Sequence, residues 1–242
     1  CYITHQRLFD TKLPKFRYDS AFIRKALSKD RLGGTCLINL CGGGETLLPA
    51  EVVGYTKALL EEGHYVMIVT NATCSKRFDE IAQFPKELRE RLFFKFSYHY
   101  LELKKRNLLH IFFRNVCKMR DVGCSFTLEA TPSDELVPYI NEMKEEALKY
   151  LGALNHVTVA RDERCKIEQL PILTKMSRNE YQKTWGVFNS EFFDYKMSIF
   201  GVKRKEFCYA GDWSLSVNIG TGEASQCYCS YFKQNIYKDI TK

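Results

Sequence analysis

No run of about eighteen apolar residues occurs in this 242-residue chain, which excludes a membrane-spanning helix of ordinary length. No basic segment followed by an apolar stretch and small residues stands at its start, so a secretory signal is not expected. The expectation is a soluble protein of the cytoplasm. Charge of one sign is not concentrated either. The basic clusters are short, as in Lys104-Lys105-Arg106 and Lys203-Arg204-Lys205, and a formal charge of +7 spread in this way suits solvated helix faces better than a nucleic-acid groove. Nucleic-acid binding is therefore not expected.

What is present is core-forming material, 45% hydrophobic and 14% aromatic, enough for one globular domain with an appendix. Ten cysteines are many for a cytoplasmic chain, and their spacing decides how they are read. Cys36, Cys74, Cys117, Cys124 and Cys165 lie far apart, in or beside predicted strands and helices, and read as small core hydrophobes. Cys1 and the trio Cys208, Cys227 and Cys229 do not fit that description.

Periodicity predicts helices over 20–31, 49–62, 78–91 around Pro85, 101–122 and 135–151, and strands over 36–40, 64–70, 92–97, 124–130 and 156–160. Strands alternating with helices of this length call for parallel pairing and right-handed crossovers. A sixth strand is expected before Cys1, which would make six βα units. Periodicity alone leaves open whether they curl into a part-barrel or lie flat as a doubly wound sheet. In either case the functional loops sit at the carboxyl ends of the strands. Beyond Arg161 the pattern changes. Residues 185–200 are aromatic and loosely amphipathic, and a hairpin is expected from 213–218 through Gly220-Thr221-Gly222 to 224–228.

Gly42-Gly43-Gly44-Glu45 directly follows the apolar run from Thr35 to Leu40. Glycines let main-chain atoms touch a bound molecule. A phosphate cradle would carry bare N–H groups and often a lysine, whereas Glu45 repels anions and accepts from an ammonium group. A tight βα turn without a ligand is the plain alternative.

Four features together resemble the radical S-adenosylmethionine (radical SAM) superfamily, over nearly the whole chain. Gly42 to Glu45 looks like its motif for the methionyl ammonium. Cys1-Tyr2 is similar to the end of its Cys-x3-Cys-x2-Cys-aromatic loop, the other two cysteines falling before the first residue, and 41 positions separate Cys1 from Gly42. Thr70-Asn71-Ala72-Thr73 follows the next strand where the family commonly has Thr-Asn-Gly, Ala72 being a departure. Cys208, thirteen residues, Gly222, four residues and Cys227 resemble the opening of a SPASM or Twitch extension, whose later cysteines are absent before Lys242.

The resemblance implies an α/β fold, a partial (β/α)6 barrel with its first strand missing, then a small C-terminal β-hairpin extension. Residues 1–165 would form the core, 166–205 a linker with helical and aromatic segments, and 206–242 the start of the iron-sulfur extension. It implies a [4Fe-4S] cluster with Cys1 as one ligand, and S-adenosylmethionine (SAM) cleaved reductively to a 5′-deoxyadenosyl radical that abstracts hydrogen from substrate. Gly42, Gly43, Gly44 and Glu45 are then candidates for the SAM ammonium, Asn71 for the same cofactor, Ser97 for its ribose, and Glu129 and Arg161 for the same cavity, Arg161 facing the carboxylate. Tyr98-His99-Tyr100 stands where substrate is expected, with His99 as acid or base; His5, His64, His110 and His156 receive no role. An auxiliary [4Fe-4S] cluster would use Cys208, Cys227 and Cys229; a zinc site is the alternative, but Cys-x-Cys lacks the usual knuckle spacing. The implied partners are a peptide or protein substrate and an electron donor such as flavodoxin or ferredoxin. A sugar or other small-molecule dehydrogenase or epimerase is the alternative within this chemistry, and a phosphate-binding or non-catalytic α/β protein the alternative outside it.

Overall fold

The computed structural model describes residues 12–165, 170–227 and 230–240. Five parallel strands form one sheet: β1 (Leu37–Leu40), β2 (Tyr65–Thr70), β3 (Leu92–Ser97), β4 (Ser125–Ala130) and β5 (His156–Val157). Their order in the sheet is their order in the chain. A doubly wound sheet reverses order at a switch point, and this one does not. With right-handed crossovers, every connecting helix therefore falls on the same face, which resolves the alternative in favour of a singly wound, part-barrel arrangement.

The burial pattern agrees. On β3, Leu92, Phe94 and Phe96 are fully buried, while Phe93, Lys95 and Ser97 between them are only partly so. The buried set packs under α3 (Glu51–Glu61), α4 (Ser75–Ala82) and α7 (Leu109–Asp121), where Phe94 and Phe96 stack at 5.3 Å and Phe78 and Phe112 lie against them. Parallel register puts Lys95 beside Thr127 and Ser97 beside Glu129 on the opposite, open face.

Departures from the sequence-based elements have local causes. The helix expected over 20–31 is divided into α1 (Ser20–Ala26) and α2 (Lys29–Leu32). The segment over 78–91 splits at Pro85, which removes a backbone donor, into α4 and α5 (Lys86–Arg89). The helix expected over 101–122 is two, α6 (Tyr100–Lys105) and α7, because Asn107 turns to φ +55° and breaks the ladder. The helix expected over 135–151 opens as a 3-10 turn, Asp134–Tyr139, containing Pro138, and becomes α-helical only at α8 (Ile140–Leu151). Strand β2 starts at Tyr65 rather than His64, since His64 is fully buried and serves as a peg. Its Nδ1 accepts from the Cys36 N–H at 3.1 Å and its Nε2 lies 2.8 Å from the Leu27 carbonyl, which assigns the proton to Nε2. The last strand is two residues, not five.

The segment expected to link the two parts holds α9 (Arg178–Gly186) and α10 (Glu191–Ile199). Its aromatic face, Tyr181, Trp185 and Phe193, belongs to the core, and Tyr181 Oη accepts from the Ala160 N–H at 3.1 Å. The expected antiparallel hairpin is present as β6 (Ser216–Val217) and β7 (Glu223–Ser225), with a third short strand, β8 (Gln234–Asn235), beside it. Tyr237 then docks the extension edge-on against Tyr18 and Phe22, and Arg31 donates to the Ile236 carbonyl at 2.9 Å. Among the described residues, no helix is long and apolar enough to cross a membrane.

Gly222 closes the β6–β7 turn at φ +76°, and a Cβ there would lie 2.3 Å from Tyr237 Cγ. Gly222→Ala therefore adds left-handed strain to a steric clash, and is expected to destabilise the extension by at least about 2 kcal/mol. Hydrogen exchange should accelerate over 216–237 while β2 and β3 keep their protection; unchanged exchange in the extension would contradict this packing.

Candidate functional site

The loops that leave β1 to β5 at their carboxyl ends bring most of the candidate residues to one rim. Gly42, Gly43 and Gly44 are exposed and Glu45 is partly buried beneath them. None of the three glycines has a positive φ. A Cβ on Gly43 or Gly44 would meet nothing within 4 Å, and one on Gly42 would meet Thr46 at an ordinary 3.6 Å. The fold itself thus gives no reason for glycine at 43 or 44. What a side chain there would occupy is the open space in front of the backbone, where a ligand would approach.

Glu45 is turned inward and fixed. Its Oε1 accepts from the Leu47 N–H at 3.0 Å and from the Thr70 hydroxyl at 2.5 Å, and its Oε2 accepts from the Asn71 N–H at 2.7 Å. The two short bonds are in the range of charge-assisted contacts. Thr70 Oγ1 accepts in turn from the Ala72 N–H at 3.1 Å, and the Gly42 N–H donates to Thr46 Oγ1 at 3.0 Å. The carboxylate therefore ties the glycine loop to the end of β2. A carboxylate has about four acceptor positions; three are used here, so one on Oε2 is open to a cation.

Asn71 is engaged within its own turn, its Oδ1 accepting from the Thr73 N–H at 3.1 Å and hydroxyl at 2.6 Å. Ala72, the departure from Thr-Asn-Gly, takes φ +57° with its methyl fully buried. Left-handed backbone costs an alanine about 1–2 kcal/mol, partly offset by about 0.8 kcal/mol of methyl burial. Asn115, buried on α7, donates to the Ala72 carbonyl at 2.8 Å and holds the turn from behind.

Farther along the rim, Lys95 Nζ lies 2.8 Å from Glu129 Oε1, so Glu129 faces the open side and already has a cation. Ser97 stands beside it in register. Arg161 is exposed and paired with Glu163 at 2.7 Å. Of Tyr98-His99-Tyr100, both tyrosines turn into the core and their phenol pKa values are pushed up by burial. Only His99 faces outward. Desolvation by the surrounding protein lowers its imidazole pKa.

Cys208 is exposed and Cys227 partly buried. Their segments run side by side, since a Cβ on Gly211 would sit 2.7 Å from Gln226 Cγ. Cys1 and Cys229 lie outside the described residues. Among the described residues, no three metal-capable side chains gather at one point.

The sequence reading gave no role to Thr46, Asn115, Lys95 or Lys196, and took Thr70 only as the start of the Thr-Asn turn. It also gave no place to Cys41, which is exposed at the start of the glycine loop. Lys95 had a readable signal, a charge alternating with phenylalanines on a strand.

No protein-family model matches the chain, and no curated protein matches it in sequence. Solved structures do match in fold. SuiB of Streptococcus suis bound to S-adenosylmethionine superposes with a TM-score of 0.62 at 14% identity, over 94% of this chain and 58% of SuiB. SuiB bound to precursor peptide SuiA gives 0.61 at 14% identity, over 98% and 58%. The chain has the fold of SuiB. It spans a little over half of SuiB's length, and at this identity the likeness transfers architecture, not individual side chains.

Glu45→Gln replaces one carboxylate oxygen by an NH2 group, set against either the Asn71 N–H or the Leu47 and Thr70 donors. The expected loss of folding stability is about 1.5–3 kcal/mol by thermal or urea unfolding, and a change below about 0.5 kcal/mol would show that the brace contributes little.

Proposed function

We propose that this chain is the SAM-binding core of a radical SAM enzyme that modifies a peptide. One observation carries the reading: Gly43 and Gly44 have neither a backbone nor a packing reason to be glycine, and they front open space at the end of a parallel strand. The fold shared with SuiB, solved with SAM and with a precursor peptide, supports the ligand and the substrate class. It favours a peptide over a sugar or other small molecule. A phosphate ligand loses support from the same loop, since the Glu45 carboxylate lies directly beneath it.

In this reading the main chain of Gly43 and Gly44 receives the methionyl ammonium group, and the open lone pair of Glu45 Oε2 adds a charge-assisted contact. Glu45, held by Thr70 and Asn71, fixes the loop before the ligand arrives, so little ordering remains to be done on binding. Ser97 and Glu129 are the candidates for the ribose, the ion pair with Lys95 orienting the Glu129 carboxylate. His99, exposed at this rim, is the candidate to take or return a substrate proton. Met67, Val69 and Phe93, alternating on the open face of β2 and β3, would limit water there.

The chemistry itself would come from a [4Fe-4S] cluster and SAM, which together supply a 5′-deoxyadenosyl radical by reductive C–S cleavage. Cys1 is the candidate ligand for that cluster; Cys208, Cys227 and Cys229 are candidates for an auxiliary one, with thiolate donors suited to iron-sulfur binding. A flavodoxin or ferredoxin would deliver the electron.

The Gly43→Ala/Gly44→Ala double variant separates ligand approach from folding. Its melting temperature should be unchanged or slightly raised, because the methyls enter open space at allowed φ, while SAM affinity by calorimetry falls at least about tenfold. Retained affinity would remove the basis of the proposal. So would failure of the anaerobically reconstituted, reduced protein to form 5′-deoxyadenosine from SAM.

A further inference from the structure

The β5 edge of the open face carries a cation that the proposed chemistry does not use. Lys196, on α10, is partly buried, and its Nζ donates to the Thr158 hydroxyl and lies 4.1 Å from the Phe192 ring centroid. No carboxylate among the described residues is within ion-pair distance of it. The neighbouring charges are already matched, Lys95 with Glu129 and Arg161 with Glu163. Five charged groups thus leave one positive charge uncompensated. Partial burial, and behind it the nearby Lys95 and Arg161, push the Lys196 pKa down, against the opposing pull of Glu129. A hydroxyl and a π-face only partly replace the water and counter-ion that such an ammonium gives up.

We propose that Lys196 and Thr158 bind a carboxylate of the substrate, the side chain of an acidic residue in a peptide. Thr158 supplies a second polar atom on the same anchor, and Lys95 and Arg161 add field of the same sign without being free to close on the anion themselves. The methionyl carboxylate of SAM is the competing occupant. With its ammonium at the glycine loop, which Glu45 ties to the end of β2, it would lie across β3 and β4 from Lys196 beside β5, and a loss of SAM affinity on Lys196→Met would assign the site to it. That the carrier is a peptide rests on the function proposed above; the carboxylate subsite does not depend on it.

The test uses the intact protein with two probes, a capped triglutamate peptide and its triglutamine counterpart, titrated with and without SAM. Triglutamate should bind at least about tenfold more tightly than triglutamine, and Lys196→Met should abolish that difference while SAM affinity stays within about twofold of wild type. Lys196→Arg should keep most of the preference. The melting temperature of Lys196→Met should be unchanged or higher, since an uncompensated charge is removed; a purely structural lysine would instead lower it. Equal binding of the two peptides, no binding of either, an undiminished preference in Lys196→Met, or a loss of SAM affinity in its place would each overturn the proposal. Formation of 5′-deoxyadenosine, measured on the same samples, keeps the two readings apart: its absence with the acidic preference intact would sink the radical chemistry alone.

Discussion

The rest of the site depends on one carboxylate. Three consecutive glycines form a segment with more conformational freedom to lose on folding than any other tripeptide, and such a loop would wander unless held. Glu45 holds it, with three donors drawn from the loop itself, the last residue of β2 and the first residue beyond it. The arrangement lets a backbone be both bare and fixed. Side chains that might have stiffened the loop are absent where a ligand would have to fit, so stiffness is supplied from below, at the strand end. Thr70 extends the same constraint by accepting from the Ala72 N–H, and the Ala72 carbonyl is gripped by Asn115 on α7. The glycine loop, the Thr-Asn turn and a core helix therefore move as one unit or not at all.

The second constraint is the winding of the sheet. With all crossovers on one side, one face is filled with phenylalanines and leucines and the other is left to carry polar groups that a closed sandwich would exclude. Lys95 shows the consequence. A lysine in the middle of a strand, between Phe94 and Phe96, would be costly on the packed face; on the open face it meets Glu129 at 2.8 Å across the β3–β4 register. The Lys95–Glu129 ion pair marks which side of the sheet is left uncovered by the crossover helices.

Five strands and their parallel sense were legible in the sequence because each is a short, mainly apolar run spaced from the next by a helix, and all but β3 start soon after a glycine. What was not legible turned on single residues with long-range partners. Nothing local distinguishes Asn107, which breaks a helix by adopting positive φ, from an exposed helical asparagine. His64 reads as the first residue of a strand until Leu27 and Cys36, far away in sequence, are seen on its two ring nitrogens. Glu45 was legible as an unusual charge beside glycines, but not as a brace, since its partners lie 25 and 26 residues on. The sequence also pointed to Tyr98 and Tyr100 as substrate-facing, whereas their rings complete the aromatic cluster around Phe112 and Phe113.

The extension separates what a spacing pattern says about a fold from what it says about a metal. In the run from Cys208 through Gly222 to Cys227, the glycine has a sufficient reason of its own: positive φ at the turn and the Tyr237 ring packed against its α-carbon. That ring in turn anchors the whole appendix to Tyr18 and Phe22 at the start of the core. The glycine therefore reports on turn and docking geometry and adds nothing to the case for a cluster. The case for a cluster rests instead on the two cysteines themselves, carried on adjacent segments by the contact of Gly211 with Gln226. Two thiols on neighbouring turns are a partial donor set, and docking through Tyr237 is what would keep them a fixed distance from the sheet. The aromatic anchor is thus a condition of the extension's docking, whatever the two thiols hold.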